Sequence, residues 1–364
     1  MADPRSGGKV LAVRLDGAGD VLLAGPSLRQ LRADVDELHL LVSPGGAEAA
    51  ALLPGVDDVL VADVPWVRDA VDATDQATDD VAVLDGLLAR LRSERYDEVV
   101  VLTSYHQSPL PMALVARWAG VPKVVGTSDA FPGALLDVRH RRAPDGDDPG
   151  FGGCHEVEAM CAAVAAAGHP LLADARLAVT PVPVPTWLGG SYVVVHPSAS
   201  VPARGIPVDR AARHAEALAA HGWRVVVTGG PGDVELGRAV TPPGGVDLTG
   251  RTSLRSLAGV LAGAAAVVVG NTGPAHLAAA VGTPVVSLFA PVVPLERWRP
   301  WRVPAVALGD PGAACRLSRA RTCPVPGHPC TDVPSDEVVA AVGSLVGDPP
   351  VRRVAEPLAG RGTS

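Results

Sequence analysis

The chain has 364 residues and a formal net charge of −8; 48% of it is apolar, 19% charged and only 3% aromatic. That balance excludes nucleic-acid binding through a basic footprint, and the length suits two domains better than one core. Only Lys9 and Lys123 among the 31 cations are lysines, a skew that with 40 Gly and 35 Pro reads as GC-rich codon usage rather than chemistry.

In chain order, residues 9–15 form a near-continuous apolar run, the pattern of a central parallel strand. The run is short and stops at a Gly/Asp turn, unlike a secretory signal. Residues 20–33 follow with helical spacing (Leu22, Leu23, Leu28, Leu31). Strand signals recur at 37–43, 58–62 and 98–102, and helical ones at 81–91 and 109–119. A Pro/Gly/Asp-rich loop at 143–153 precedes an Ala-rich helix at 156–167. Residues 180–187 read TPVPVPTW, a stiff extended linker. The alternation then restarts, with strands at 191–196, 224–228, 265–269 and 285–289 and helices at 207–220, 253–262, 273–281 and 336–345. The longest apolar stretch, 257–269, is broken by Gly259 and Gly263 and is too short to span a bilayer. The expectation is an α/β protein of two doubly wound, Rossmann-like domains, residues 1–180 and 189–348, joined by a linker at 181–188 and followed by a disordered tail at 349–364. Ligands then belong in the cleft between the carboxyl ends of the two sheets. A cytoplasmic protein is expected, with membrane contact at most peripheral and its five cysteines reduced.

The turns facing that cleft carry the chemistry. The first is Asp16-Gly17-Ala18-Gly19-Asp20, whose glycines allow a sharp bend and whose two carboxylates stand where either can take a proton from a hydroxyl. A dinucleotide fingerprint would need Gly where Leu22 stands and an acid after the second strand, which ends at Ser43-Pro44. A structural N-cap at Asp20 is the other reading of this turn. In the second half, His196-Pro197-Ser198-Ala199-Ser200 with Arg204 suits a diphosphate, because Arg bridges two oxygens. Thr228-Gly229-Gly230-Pro231-Gly232-Asp233 permits close approach of a nucleoside, with Asp233 placed to accept from ribose hydroxyls. Gly270-Asn271-Thr272-Gly273-Pro274-Ala275-His276 runs from a buried strand directly into a helix, whose amino end attracts anions. His276 in its first turns reads equally as a ligand contact and as a packed structural residue.

Three stretches together, VLAVRLDGAGDVLLAGPSLRQLR, VVHPSASVPARGIPVDRAARHAEAL followed by VVVTGGPGD, and LAGVLAGAAAVVVGNTGPAHLAAAVGTPVVSLFAP, resemble glycosyltransferase family 9, whose members include heptosyltransferases of lipopolysaccharide core assembly. The resemblance implies a GT-B fold, a nucleotide-diphosphate-sugar donor held by the second domain, and inversion at the anomeric carbon. It places Asp20 at the family's proposed catalytic base; Asp16, Gly17 and Gly19 belong on the acceptor side, because a carboxylate at this turn would repel a pyrophosphate. Arg204 falls where the family usually has Lys on the donor phosphates, Asp233 at an acidic position linked with the donor ribose, and Thr272, Gly273 and His276 in its D-T-G-x-x-H segment. Asn271 replaces the Asp of that segment, and Ile206 stands where Trp commonly follows the Lys. The implied donor is ADP-heptose first, another activated sugar second; the acceptor is a hydroxyl of a specialised metabolite or an envelope glycan. No cofactor or metal is expected. The rival readings are a nucleotide-sugar epimerase of the same architecture, a nicotinamide-dependent oxidoreductase, which the first turn disfavours, and a non-catalytic nucleotide-sugar-binding protein, which Asn271 keeps open.

Cys315, Cys323 and Cys330 with His328 lack the close C-x2-C pairs of zinc sites and read as a thiol-bearing loop. The acidic runs 34–37 and 145–148 read as solvated loops rather than D-x-D metal sites. Trp298 and Trp301, after the loop at 290–294, read as packing residues, with a wall of the donor site as the alternative.

Overall fold

The computed structural model describes residues 7–68, 79–142 and 153–349. The expected loop at 143–153 and tail at 349–364 lie outside these residues, apart from Gly153 and Pro349. The first sheet contains β1 (Lys9–Arg14), β2 (Glu37–Val42), β3 (Asp58–Val61), β4 (Glu98–Val101), β5 (Lys123–Thr127) and β6 (Val138–His140) in the order β3-β2-β1-β4-β5-β6. The second contains β7 (Tyr192–His196), β8 (Arg224–Val227), β9 (Val246–Asp247), β10 (Ala266–Gly270), β11 (Val285–Leu288) and β12 (Ala305–Leu308) in the order β12-β11-β10-β7-β8-β9. Every pairing is parallel. Each lobe therefore starts at its sheet's centre, winds to one edge and returns past the start. The winding reverses between β1 and β4 and between β7 and β10, where loops part and leave a crevice.

The Val-rich composition explains the parallel sheets. Helices cover both faces, so every residue of β10 is buried, as are Val193, Val194 and Val195 of β7. The helix expected at 20–33 is two helices, Ala18–Leu23 and Gly25–Arg32. Pro26 in the first turn of the second has no N–H to give the preceding turn, so the chain restarts there. Strands β5, β6, β9 and β12 were not legible as strands: β6 and β9 have three and two residues, and β12 is a partly exposed edge. Among the described residues no helix is long and apolar enough to cross a membrane.

The lobes touch on both sides of the crevice. On one side Arg297 and Glu156 form an ion pair at 2.8 Å, their side chains 1% and 0% exposed. Beside it, His155 Nε2–H donates to the Arg299 carbonyl at 2.9 Å and Trp301 Nε1–H to the Ala175 carbonyl at 2.7 Å. On the other side Glu48 Oε2 accepts the Leu254 N–H at 2.8 Å, an acid from the first lobe at the positive end of the helix Leu254–Ala262.

Candidate active site

The crevice encloses a cavity of about 730 Å³ lined by residues of both lobes. Its floor is a helix-to-helix contact, Ala18–Leu23 of the first lobe against Gly273–Ala280 of the second. A Cβ on Gly19 would stand 2.9 Å from Gly273 Cα, so glycine at 19 is what lets the two helix starts meet.

Asp20 enters the cavity from the first lobe. Beneath it lies Arg14, the last residue of β1 and wholly buried. Its Nη2–H groups donate to Asp20 Oδ1 at 3.1 Å and Ser104 Oγ at 2.8 Å, while its Nε is 2.9 Å from Asp16 Oδ2. Trp298, from the opposite lobe, donates its Nε1–H to the same Asp20 Oδ1 at 3.2 Å. Burial alone would raise the Asp20 carboxyl, but Arg14 above all, with the Trp298 N–H, overrides it and holds the group below the ordinary carboxylate range. Asp16 differs. Burial pushes it up to about 6 against the pull of Arg14, and the neighbouring charge of Asp20 adds to the rise. Two carboxylates on one arginine are thus driven apart, one firmly ionised and one poised near neutrality. Asp16 does not line the main cavity. It faces an adjoining one of about 380 Å³ that shares Gly17, Pro44 and Gly45 with it, and its Oδ1 accepts from Gln107 Nε2 at 2.5 Å.

The second lobe supplies cations and donors. Ser198, Ser200 and Arg204 line the cavity after β7. Gly270 fixes the position of Arg204: a Cβ there would lie 2.0 Å from the Arg204 carbonyl oxygen, so only glycine lets this turn reach the end of β10. Burial draws the Arg204 guanidinium downward while Asp20 holds it up. Its Nε, Thr272 Oγ1 and His276 Nδ1 are buried with no hydrogen-bond partner among the described residues, and all three residues line the cavity. The helix Gly273–Ala280 opens here without a side-chain cap from Thr272. Burial pushes the His276 imidazole down to about 4, with Asp20 pulling the other way, so it is neutral at pH 7. Gly229 and Asp233 line the far end, where Asp233 Oδ2 accepts the Gly230 N–H at 2.8 Å.

Two residues singled out in the sequence are engaged inside the protein. Thr228 is fully buried, and its hydroxyl bonds His196 Nδ1 at 2.9 Å; it sets the orientation of His196, which does line the cavity. Asn271 touches the cavity, yet its Oδ1 accepts the Ala290 N–H at 3.0 Å and its Nδ2–H donates to the Ala290 carbonyl at 3.2 Å. Ile206 is 3% exposed, in the second-lobe core.

Arg14 and His196 were given no role of their own from sequence, and Trp298 was read as packing first, with a wall of the donor site as the alternative. A lone Arg closing an apolar strand was the available signal, because a buried charge requires partners. Trp301 packs, tilted on the His155 ring at 4.3 Å, whereas Trp298 is both packed and wall. Asp34 is part-buried and bonds buried His169 Nδ1 at 3.0 Å; the run 145–148 lies outside the described residues. Cys315 and Cys330 are buried, and burial with the Cys315 neighbour pushes the Cys330 thiol up to about 12. Among the described residues no group of three or more His, Cys, Asp or Glu is placed to hold a metal.

The comparisons agree with this architecture. Lipopolysaccharide heptosyltransferase 3 of Escherichia coli is 32% identical over 120 residues, 31% of this chain and 35% of that protein. The protein of that name from strain K12 is 33% identical over 116 residues, 30% and 33% of the two chains. The match thus spans about a third of these curated relatives. Among solved structures, a family 9 glycosyl transferase from Veillonella parvula superposes with a TM-score of 0.72 at 16% identity, over 93% of this chain and 97% of that one. E. coli ADP-heptose lps heptosyltransferase II gives 0.67 at 20% identity, over 93% and 98%. E. coli heptosyltransferase WaaC with ADP-2-deoxy-2-fluoro heptose gives 0.66 at 20%, over 92% and 99%. These share the fold, which is GT-B. The model of glycosyltransferase family 9 (heptosyltransferase) matches residues 86–328, and the chain belongs to that family.

Proposed function

We propose that the protein is an inverting glycosyltransferase that moves a sugar, heptose from ADP-heptose in the first instance, onto an acceptor hydroxyl. The observation that carries this reading is that Asp20 of one lobe and Arg204, Thr272 and His276 of the other line one cavity. The structural relatives bound to ADP and to an ADP-heptose analogue support the choice of donor. The acceptor enters over Asp16 and Gly17, through the adjoining cavity, and is a specialised metabolite or envelope glycan.

The reaction is a single displacement. The acceptor oxygen attacks the anomeric carbon as the bond to the diphosphate breaks, which inverts that carbon, and the hydroxyl proton passes to Asp20. A carboxylate held below its ordinary range is ionised at neutral pH but weakly basic, so it takes the proton late, as the new bond forms. Arg204 and the amino end of the helix Gly273–Ala280 stabilise the departing diphosphate. Contact between the lobes limits loss of the donor to water.

Thermal-shift screening of ADP-, UDP- and GDP-sugars tests the donor, because a ligand at a hundredfold its Kd stabilises by about 2.7 kcal/mol. Asp20→Asn should then cut transfer by about 10²- to 10⁴-fold while ADP affinity changes little. Near-normal turnover in that variant would remove Asp20 from the mechanism.

A further inference from the structure

We infer that Trp298 is a positioning residue, which orients the Asp20 carboxylate through a hydrogen bond made only when the two lobes are together. This rests on the reading of Asp20 as the base. Asp20 Oδ1 accepts two bonds, from Arg14 Nη2 at 3.1 Å and from Trp298 Nε1 at 3.2 Å. Arg14 ends β1 in the same lobe as Asp20 and stays with it whatever the lobes do. Trp298 lies on the short helix Leu295–Trp298 of the other lobe, 278 residues away in sequence, so its bond exists only across the crevice. Both donors fall on Oδ1, which leaves Oδ2 as the oxygen for the acceptor's proton.

The indole is held in place by contacts that also cross between lobes. Its ring meets Tyr105 of the first lobe edge-on, with centroids 5.4 Å apart. The preceding residue, Arg297, lies over the same Tyr105 ring at 5.0 Å and forms the buried ion pair with Glu156. Trp298 is 7% exposed, and an indole N–H buried to that degree needs an acceptor. The remaining charged and titratable groups facing Asp20 are Asp16 at the end of β1, His106 after β4, Arg204 after β7 and His276, and these act on it through charge. Arg204 and His276 set the field in the cavity; Trp298 and Arg14 set the direction of the carboxylate. With the lobes apart, Asp20 keeps one of its two donors and the base is incompletely set, so an activated sugar on the second lobe alone does not meet a base directed at water.

The test uses the full-length protein with Asp carboxyls labelled with carbon-13, the Asp20 signal being assigned as the one lost in Asp20→Asn. Trp298→Phe keeps a ring and removes the donor. Benzothienylalanine at position 298 preserves the indole's shape, replaces its N–H with sulfur, and covers the case in which Phe does not fold. The expected result is an Asp20 titration midpoint raised by about half a unit or more in both variants, since loss of a donor to the ionised form disfavours that form. An unchanged midpoint in the benzothienylalanine protein overturns the inference. The base reading fails separately, if Asp20→Asn keeps its turnover while the midpoint still moves in the Trp298 variants.

Discussion

Restoring the residue that usually precedes Thr-Gly in the family should damage this protein. Asn271 is 4% exposed, and its amide uses both polar ends on one backbone residue: Oδ1 accepts the Ala290 N–H at 3.0 Å and Nδ2 donates to the Ala290 carbonyl at 3.2 Å. The pair ties the end of β10 to the loop leaving β11, the loop that leads to Trp298. An aspartate can keep the first bond, but it opposes a carboxylate oxygen to the Ala290 carbonyl oxygen with no proton between them. One net hydrogen bond is worth about 1 kcal/mol and an orphaned buried acceptor about 1–3 kcal/mol, so Asn271→Asp should cost about 2–4 kcal/mol. At about 2–4 °C per kcal/mol for a lobe of 150–250 residues, melting should fall by about 4–16 °C. Scanning calorimetry at neutral pH reads this directly, and ADP titration should show weaker binding because the new charge lines the cavity proposed to hold the diphosphate. Asn271→Ala, which loses both bonds without adding charge, should lose stability and keep more of the ADP affinity than the Asp variant. An Asp variant that melts with the wild type would refute the account of why this chain carries an amide.

Two further outcomes follow from the charges around the cavity. Arg204→Gln removes a guanidinium whose Nε is buried without a partner among the described residues, and it should weaken ADP binding about 10- to 150-fold in calorimetry, the equivalent of 1.5–3 kcal/mol for charge-assisted hydrogen bonds; unchanged affinity would place the diphosphate elsewhere. Burial pushes His196, His214 and His276 down to about 4 and His155 to about 3. Their folded values lie below the unfolded one, so the stability they contribute is complete above about pH 6.5 and is lost as pH falls toward 4, approaching about 1.4 kcal/mol per pH unit per histidine. Asp16, raised to about 6, runs the other way: its contribution is present at low pH and lost as pH rises through 6. Urea midpoints between pH 7.5 and 5 should therefore decline toward acid, and Asp16→Asn should decline more steeply because the opposing group is gone. A flat wild-type profile would mean that these imidazoles are not held neutral.

What the sequence revealed and what it hid have a common physical origin. The turns at 16–20, 198–204 and 270–276 were readable because a parallel strand that ends in Gly and polar residues before a helix leaves few local conformations, and the sheet order then carries those turns to the reversal points. The two doubly wound domains followed from the same βαβ repetition and the GT-B assignment from the family resemblance, whereas β6 and β9 were too short to show a period. Side-chain direction was not readable in this way. Thr228 and Asn271 occupy positions that suggest ligand contact, yet their polar atoms are spent on His196 and Ala290, choices made by neighbours distant in sequence. Arg14 escaped notice, and Trp298 was read first as packing, for the opposite reason. One closes an apolar strand and acquires its role where the first turn brings Asp20 over it; the other sits in an RWRPW segment that looks like packing and acquires its role only where the lobes meet at Asp20. A carboxylate in a Gly-Asp turn marks where a base can stand. The oxygen it presents, and its readiness to ionise, are decided by a cation beneath it and an indole that reaches it from the other lobe.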